Sequence, residues 1–418
     1  MPSKKHENFL FQTSLSKVIM SFFAVNSHDR LRGCSMRKPR VGIMSMQRIR
    51  NYGSFLQAYG LKRMLEELGC EVRFVDYHPG KCLIEPDKPS HLPRPIAKLA
   101  EVFEGPGPII GKFAYANYKR HYDSKTWPLL GLAVEPDYRT DDLDMLVIGS
   151  DEVFNCVQSN PNVGFSPDLF GANSKAKRLI AYAASCGNTT IKKLQEHNVA
   201  DEVAKWLKGF NAISVRDENT AMTVKELTCE NPVRNLDPVL AYDFFGKESI
   251  PENPVNGKYM IVYAYSGRLS RDECVATREY ADKHSLKVIN VGGIQGVCDQ
   301  FLDLEPFEVL AAFKNAECVL TDTFHGTILS VISERPFATI IHTQGYGNSE
   351  KLTDLLEKIG LKNHSLQTLS EMVDVLDSQI DYRLTRKIIS EGRRCARIGY
   401  RNKSNSFKRQ LLHARRCL

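Results

Sequence analysis

The sequence predicts an α/β protein of two successive doubly wound domains, each a parallel sheet flanked by helices. Three observations carry that expectation. The chain has 418 residues, more than one hydrophobic core normally holds, so two domains of roughly 150 to 200 residues are expected. From about Val41, short apolar runs alternate with stretches of helical periodicity, the pattern of strand, helix, strand units joined by right-handed crossovers. The alternation stops at the proline-bearing stretch IPENPVNG (250–257) and then restarts.

The elements follow in order. VGIMSM (41–46) is an apolar run, and NYGSFLQAYGLKRMLEELG spaces Phe55, Leu56, Tyr59, Leu61, Leu65 and Leu68 as a helix that Gly69 ends. EVRFVDY (71–77) alternates as a strand. Residues 83–142 are proline-rich and weakly periodic, and read as an insertion or lid with a helix near 110–122. MLVIG (145–149), RLIAYAAS (178–185) and AISVR (212–216) are further strands, with a helix over VADEVAKWLKGF between the last two. In the second half KYMIVYAY, KVINVGG, ECVLTD and PFATII are strands, and 270–285, 306–315, 326–334 and 349–359 are helices. The expected division is an appended disordered extension (1–39), a first domain (40–245), a second domain (246–364) and a basic helical segment (365–418).

With 42% hydrophobic and 25% charged residues the chain matches ordinary globular proteins, which excludes disordered, collagenous and coiled-coil classes. No apolar stretch approaches the ~20 residues that cross a bilayer, so a soluble protein with at most peripheral membrane contact is expected. The net charge of +7 is uneven. Residues 1–40 carry eight Lys/Arg against two Asp/Glu, and 383–418 carry twelve against one, so the body between them is acidic. A basic end can meet anionic lipid, nucleic acid or a phosphorylated substrate, or be a solvated helix. The eleven cysteines form no CxxC or Cys/His cluster, which argues against a structural zinc site and a disulfide framework, and fits reduced thiols in a cytoplasmic protein. The run VIMSFFAV (18–25) faintly resembles a signal peptide but lacks a small-residue cleavage site, and Met36 is the expected true start.

In open parallel sheets ligands bind beyond the carboxyl ends of strands, so chemistry is sought just after each strand. TDTFHGT (321–327) follows the strand ECVL and opens a helix. The amides of Gly326 and Thr327 would be free at the helix start, where the macrodipole favours an anion. Beside a phosphate, His325 can stay protonated and act as a general acid. The alternative makes Thr323 an N-cap and His325 a buried hydrogen-bonding residue.

SVRDEN (214–219) puts Arg216 at a strand end, where its planar fork suits a carboxylate or phosphate; Asp217 or Glu218 are its alternative, structural partners. IGSDEVFN (148–155) supplies Ser150 and Asp151, suited to hydroxyl recognition, general-base work or capping of the next turn. RIRNYGSFLQ (48–57) brings Asn51 and Gly53 to the first helix start, as an anion or substrate contact or as plain turn geometry. YAASCGN (182–188) allows close approach of a ligand or a second backbone, with Cys186 read as a packed thiol. NLDPVLAY (235–242) reads as a turn with Asp237 structural, and VGGIQG (291–296) departs from the GxGxxG dinucleotide turn.

Taken in this order and spacing, NYGSFLQAYGLKRMLEELG, IGSDEVFN, YAASCGN, SVRDEN, LDPVL and NAECVLTDTFHGT resemble the polysaccharide pyruvyltransferase family over about 41–361. The resemblance implies two Rossmann-like domains in a GT-B-like arrangement, facing a cleft, with a C-terminal helical segment returning to the first. It implies transfer of the pyruvyl unit of phosphoenolpyruvate to a sugar, forming a ketal across two hydroxyls and releasing phosphate. No metal and no cofactor beyond that co-substrate is expected. By the same resemblance Arg216, Thr323, Gly326 and Thr327 bind the donor, His325 is the acid, and Asp151 orients or deprotonates the attacking hydroxyl. Asn51, Gly53, Ser150, Asn155 and Lys351 are expected at the acceptor. The sequence departs from the family at Phe154, where tryptophan is common, at Thr323, where serine precedes FHG, and at Lys351, where arginine is frequent.

The acceptor this implies is a saccharide of a cell-surface polysaccharide, free or lipid-linked. The protein is expected in the cytoplasm, with its basic end on the inner leaflet. Nucleic acid is not expected, since nothing aromatic or motif-like accompanies the charge. Two rival readings are a nucleotide-sugar glycosyltransferase on the same architecture and a non-catalytic binding protein; the oligomeric state is open.

Overall fold

The computed structural model of the chain describes residues 37–85, 106–342 and 349–393. The expected extension up to residue 36, with its start-site and signal-like readings, lies outside the described residues, as do part of the proline-rich stretch and the basic residues beyond 393.

The first domain runs β1 (Arg40–Met44), α1 (Tyr52–Glu67), β2 (Glu71–Phe74), α2 (Pro106–Leu130), β3 (Met145–Asp151), β4 (Leu179–Ala184), α3 (Ile191–Glu196), α4 (Ala200–Leu207), β5 (Ala212–Val215), α5 (Glu218–Thr228) and β6 (Val233–Arg234). Two short helices, α6 (Pro238–Ala241) and α7 (Phe244–Lys247), lead to the second. That domain runs β7 (Tyr259–Tyr263), α8 (Arg271–Lys283), β8 (Lys287–Val291), β9 (Gln300–Leu302), α9 (Pro306–Asn315), β10 (Cys318–Thr321), α10 (Phe324–Ser333), β11 (Phe337–Ile340), α11 (Ser349–Lys358), β12 (Ser365–Leu366) and α12 (Met372–Asp377).

Both sheets are six-stranded and parallel, in the orders β2-β1-β3-β4-β5-β6 and β12-β11-β10-β7-β8-β9. Strands buried on both faces need apolar side chains on both, which is why Met145–Ile148 of β3 and the whole of β7 read as apolar runs, and both strands are buried throughout. Strand order reverses between β1 and β3 in the first sheet and between β7 and β10 in the second, so each domain has its crevice at the carboxyl ends of those strands.

The domains share a core. The largest buried apolar cluster runs from Val41, Met145 and Ile180 through Tyr52 and Phe55 of α1 to Ile261, Val309 and Ile328, and two further clusters fill the outer faces of the sheets. Across the interface the Tyr52 hydroxyl donates to the Leu304 carbonyl at 2.6 Å, and the Tyr59 ring meets Phe307 edge-on at 5.3 Å. Arg234 of β6 also bridges to Asp354 of α11 at 2.5 Å.

Two sequence expectations are corrected, and three short strands were not foreseen. The helix in the insertion spans Pro106–Leu130 and is no lid: Tyr118 packs on Tyr52 and Phe301, Lys125 bonds Asp303 of the second domain at 3.0 Å, and none of its residues lines the cavity described below. The segment from 365 is not helical throughout, because Ser365–Leu366 forms the edge strand beside β11. The short strands β6, β9 and β12 carry too few residues to show an alternation in the sequence.

A last helix over 383–393 ties the two domains together. Arg386 pairs with Glu334 of the second domain, while Arg393 donates to the carbonyls of Leu240 and Tyr242 beside α6. Among the described residues no helix is long and apolar enough to cross a membrane.

Candidate active site

The carboxyl ends at both strand-order reversals meet in a cavity of about 220 Å³ between the domains. The first domain contributes Asn51 and Ser54 from the start of α1, Asp151 and Glu152 from the end of β3, and Arg216 after β5. The second contributes Tyr263 at the end of β7, Tyr265 and Arg268 after it, the cap Thr323 with Phe324 and His325 at the start of α10, and Lys351 of α11.

Arg216 is buried, and its guanidinium bridges two carboxylates: Nη1 lies 2.9 Å from Asp237 Oδ2 and Nη2 3.4 Å from Asp151 Oδ1. Its carbon also sits 4.3 Å from the centre of the Phe324 ring, a cation–π contact from the other domain. Burial disfavours the guanidinium charge, but the surrounding carboxylates raise its pKa above the ordinary value. The adjacent Asp217 and Glu218 are not its ion-pair partners. Asp217 instead caps α5 by accepting from the Thr220 amide, and Glu218 pairs with Arg234.

Asp237 was read from the sequence as a turn residue, and it is one: Oδ1 accepts from the Val239 amide at the start of α6. Its second oxygen does more. Oδ2 receives Arg216 Nη1, Ser150 Oγ at 3.3 Å, and His325 Nε2 at 3.6 Å, the last an ion-pair distance rather than a hydrogen bond. Burial alone would raise the Asp237 carboxyl; the neighbouring His325 and Arg216 outweigh it and hold the group at about 2, so it is a carboxylate at neutral pH.

Gly53 fixes the imidazole from the opposite side. A Cβ there would fall 2.3 Å from His325 Cγ and Nδ1, so only glycine lets α1 pass this close.

Asp151 is a non-glycine residue at φ +73, a left-handed conformation that costs of order 1–3 kcal/mol unless its surroundings impose it. Here Ser54 Oγ donates to Oδ2 at 2.8 Å while Arg216 and the Glu152 amide hold Oδ1. Glu152 forms an ion pair with Lys351 across the domain boundary. Burial would raise the Glu152 carboxyl, but Lys351, Arg216 and Asn155 bring it down to about 2.

The remaining expected residues divide. Asn51 and Thr323 line the cavity, but both side chains act as helix caps, Asn51 Oδ1 for the Gly53 and Ser54 amides and Thr323 Oγ1 for Gly326. The amides of Gly326 and Thr327 are not free: the first donates to Thr323 Oγ1 and the second to the Thr323 carbonyl. The helix-start amides without an intrahelical acceptor are those of Phe324 and His325. Ser150 is fully buried behind the cavity, bonded to Ala183 and Asp237, and Asn155 lies behind Glu152, donating to it at 2.8 Å. Both support the walls and do not line them.

Sequence reasoning missed Asp237 as a site residue, Glu152, and Arg268, whose Nε lies 2.7 Å from the fully buried Asp322. Asp322 and Glu152 sat inside quoted motifs, but Arg268 stands in a loop with no pattern to announce it. With Arg268 included, every cation of the cavity has a carboxylate partner within the protein. Among the described residues no group of three His, Cys, Asp or Glu is placed to hold a metal ion.

Comparison with curated proteins gave no match. Among solved structures the chain is similar to a UDP-GlcNAc 2-epimerase from Methanocaldococcus jannaschii in complex with UDP-GlcNAc and UDP, at 11% identity over 87% of this chain and 99% of that one, with a TM-score of 0.48. It is also similar to an O-GlcNAc transferase mutant from Thermobaculum terrenum (14%, 91% and 67%, TM-score 0.38) and to the glycosyltransferase SnogD from Streptomyces nogalater (11%, 86% and 95%, TM-score 0.36). Scores this low add nothing to the architecture, which rests on the two sheets themselves. The polysaccharide pyruvyl transferase family profile matches residues 51–344. That span begins at the cap of α1, ends just past β11, and takes in each cavity-lining residue except Lys351. The chain belongs to the polysaccharide pyruvyl transferase family.

Proposed function

We propose that the cavity binds phosphoenolpyruvate and that the enzyme transfers its pyruvyl unit to a saccharide, releasing phosphate and leaving a ketal across two hydroxyls. The observation that carries this reading is the convergence of Arg216, Arg268, Lys351 and His325 from two domains on one small cavity. A three-carbon donor bearing a carboxylate and a phosphate needs several cations and little space, and about 220 Å³ is below the ~300 Å³ at which ligand sites usually begin.

Uptake of the anion re-pairs cations that are already matched. The Glu152–Lys351 pair is the one to open most readily, since it is the most exposed ion pair of the cavity. Arg216, fixed by Asp237, keeps its fork oriented throughout.

The proton for the substrate comes from the His325 imidazole, whose Nε2 stands 3.6 Å from Asp237 Oδ2. That proton adds to the enol methylene carbon, turning it into a methyl group and leaving an oxocarbenium-like carbon beside the carboxylate. A sugar hydroxyl forms the first C–O bond to that carbon, and Asp151 takes its proton. The C–O bond to phosphate then breaks with its electron pair on phosphate, which takes the proton held by Asp151, and a second hydroxyl closes the ketal, its proton returning to His325. Asp237 gives the imidazolium a counter-ion, so the general acid keeps a fixed position.

The acceptor is proposed to be a lipid-linked saccharide met at the cytoplasmic leaflet. The basic end of the chain, twelve Lys/Arg against one Glu over 383–418, would hold the enzyme against anionic lipid there. Full activity on vesicle-bound acceptor after removal of residues beyond 395 would remove that part of the reading.

Thermal-shift measurement tests the donor. Phosphoenolpyruvate at 100 times its dissociation constant stabilises by roughly 2.7 kcal/mol. A shift with phosphoenolpyruvate and none with UDP- or GDP-sugars is expected; the opposite pattern would make this a nucleotide-sugar glycosyltransferase.

A further inference from the structure

Three exposed apolar side chains stand together near the start of α2: Ile109, Ile110 at 67% exposure and Phe113 at 76%. Residues three and four apart share one side of a helix, so Phe113 lies beside both isoleucines. Ala116 and Arg120 continue the row, with Lys119 next to it, and all three are exposed. Single apolar residues on a surface need no explanation, but a cluster marks an interaction site.

The opposite side of the helix is packed against the second domain. A Cβ on Gly111 would fall 2.4 Å from Ile294 Cδ1, and Tyr118 meets Phe301 at 5.8 Å. From Ile294 the contacts lead straight to the donor cavity. The Gly267 amide donates to the Ile294 carbonyl at 2.9 Å, and the Ile294 amide donates to Ser266 Oγ at 3.1 Å. Tyr265 and Arg268, which flank Ser266 and Gly267 in that loop after β7, line the cavity. One helix and one loop therefore separate the exposed apolar cluster from the site.

The charge beside the cluster has one sign. Over 106–122 the chain carries three Lys/Arg and no Asp/Glu. Lys119 Nζ lies over the Tyr115 ring, 4.4 Å from its centre, so this ammonium is held at the helix surface. Bulky apolar side chains flanked by cations are what lets a helix lie in a lipid interface. A protein partner fits less well, because the cores of such interfaces are depleted in lysine. A second copy of the same face would bring like charges together.

We propose that this face of α2 docks on an anionic lipid bilayer. Ile109, Ile110 and Phe113 enter the headgroup boundary, and Lys119 and Arg120 meet the lipid phosphates. Docking sets the loop that carries Tyr265 and Arg268 close to the bilayer. The surface is separate from the basic end of the chain, and only its purpose rests on the lipid-linked acceptor of the reading above.

Vesicle flotation of the full chain tests it, with equimolar phosphatidylglycerol and phosphatidylcholine as the anionic vesicle and phosphatidylcholine alone as the neutral one. The wild type should float with the anionic vesicles and about tenfold less with the neutral ones. Ile110→Asp combined with Phe113→Asp should lower anionic-vesicle binding about tenfold or more. Lys119→Glu combined with Arg120→Glu should do the same at low salt, where charge is least screened. In Phe113→Trp, emission corrected for Trp127 and Trp206 by subtracting the wild type should shift to shorter wavelength with anionic vesicles. That signal reads this face alone, even if another segment also binds lipid. No flotation of the wild type, unchanged flotation in both double variants, or an unshifted Phe113→Trp emission would overturn the assignment. A concentration-dependent dimer dissolved by Phe113→Asp would give the face to a second copy instead. Thermal shifts with phosphoenolpyruvate on the same samples separate the two ideas. A phosphoenolpyruvate shift without vesicle binding sinks this surface alone, and α2-dependent vesicle binding without that shift keeps the surface and sinks the donor reading.

Discussion

Arg216 and His325 stand in different domains yet reach the same oxygen atom: Nη1 of one lies 2.9 Å and Nε2 of the other 3.6 Å from Asp237 Oδ2. Asp237 follows β6, at the point where the chain leaves the first sheet. One carboxylate therefore sets the spacing between the guanidinium that would hold the donor and the imidazole that would protonate it.

Asp237→Asn tests that arrangement. Asparagine retains the Oδ1 cap on Val239 but removes the charge facing both cations. Turnover should fall by ~10-fold or more as the acid loses its counter-ion, and stability by about 1–3 kcal/mol, the usual effect of disturbing a buried charged hydrogen bond. Kinetics with wild-type turnover in a folded variant would reduce Asp237 to its turn.

Gly53→Ala should displace the imidazole. The added methyl would lie 2.3 Å from the His325 ring, so either the ring or α1 must move. Overpacking of this kind costs typically ~1–3 kcal/mol, and the rate should fall further than the melting temperature suggests, because the ring that moves is the proton donor. A crystal structure of the variant with an unmoved ring would contradict this.

Two of the protein's depressed carboxyls lie at the cavity and contribute to the acid limb of stability. Glu152 and Asp237 are held at about 2, below the ~4 of unfolded carboxylates. Between those values the unfolded chain binds more protons, so their contribution is present above pH ~4 and is lost as pH falls toward ~2. Melting temperature should be nearly flat from pH ~7 to ~5 and then drop. In Glu152→Gln the drop should be shallower; an identical profile would show that the pair with Lys351 adds nothing to stability.

How far the sequence could be read depended on whether a signal was local. Ser270 followed by Glu273 marks the start of α8 with a capping box, and the apolar run Tyr259–Tyr263 marks a strand buried on both faces, so such elements were legible. The two-residue strands β6 and β12 have no period to detect. At α10 the two readings of TDTFHGT competed, and the cap prevailed over free amides because Thr323 Oγ1 lies in the same turn as the Gly326 donor. Arg216 was legible as a site residue, but its partner was not: Asp237 is 21 positions away and looks like any Asp-Pro turn until β5 and β6 lie side by side. Arg268 was invisible because its partner Asp322 is brought near only by the adjacency of β7 and β10.

The account is tested most directly by calorimetric titration of phosphoenolpyruvate into the wild type, Arg216→Lys and His325→Ala. Saturable binding by the wild type is expected. Affinity should be weakened about tenfold or more by Arg216→Lys, where the charge stays but the planar fork is lost. In His325→Ala, phosphoenolpyruvate should still bind, while phosphate release with a saccharide acceptor falls by ~10²-fold or more. Equal phosphoenolpyruvate affinity in all three proteins together with undiminished phosphate release, or no binding to the wild type, would contradict it.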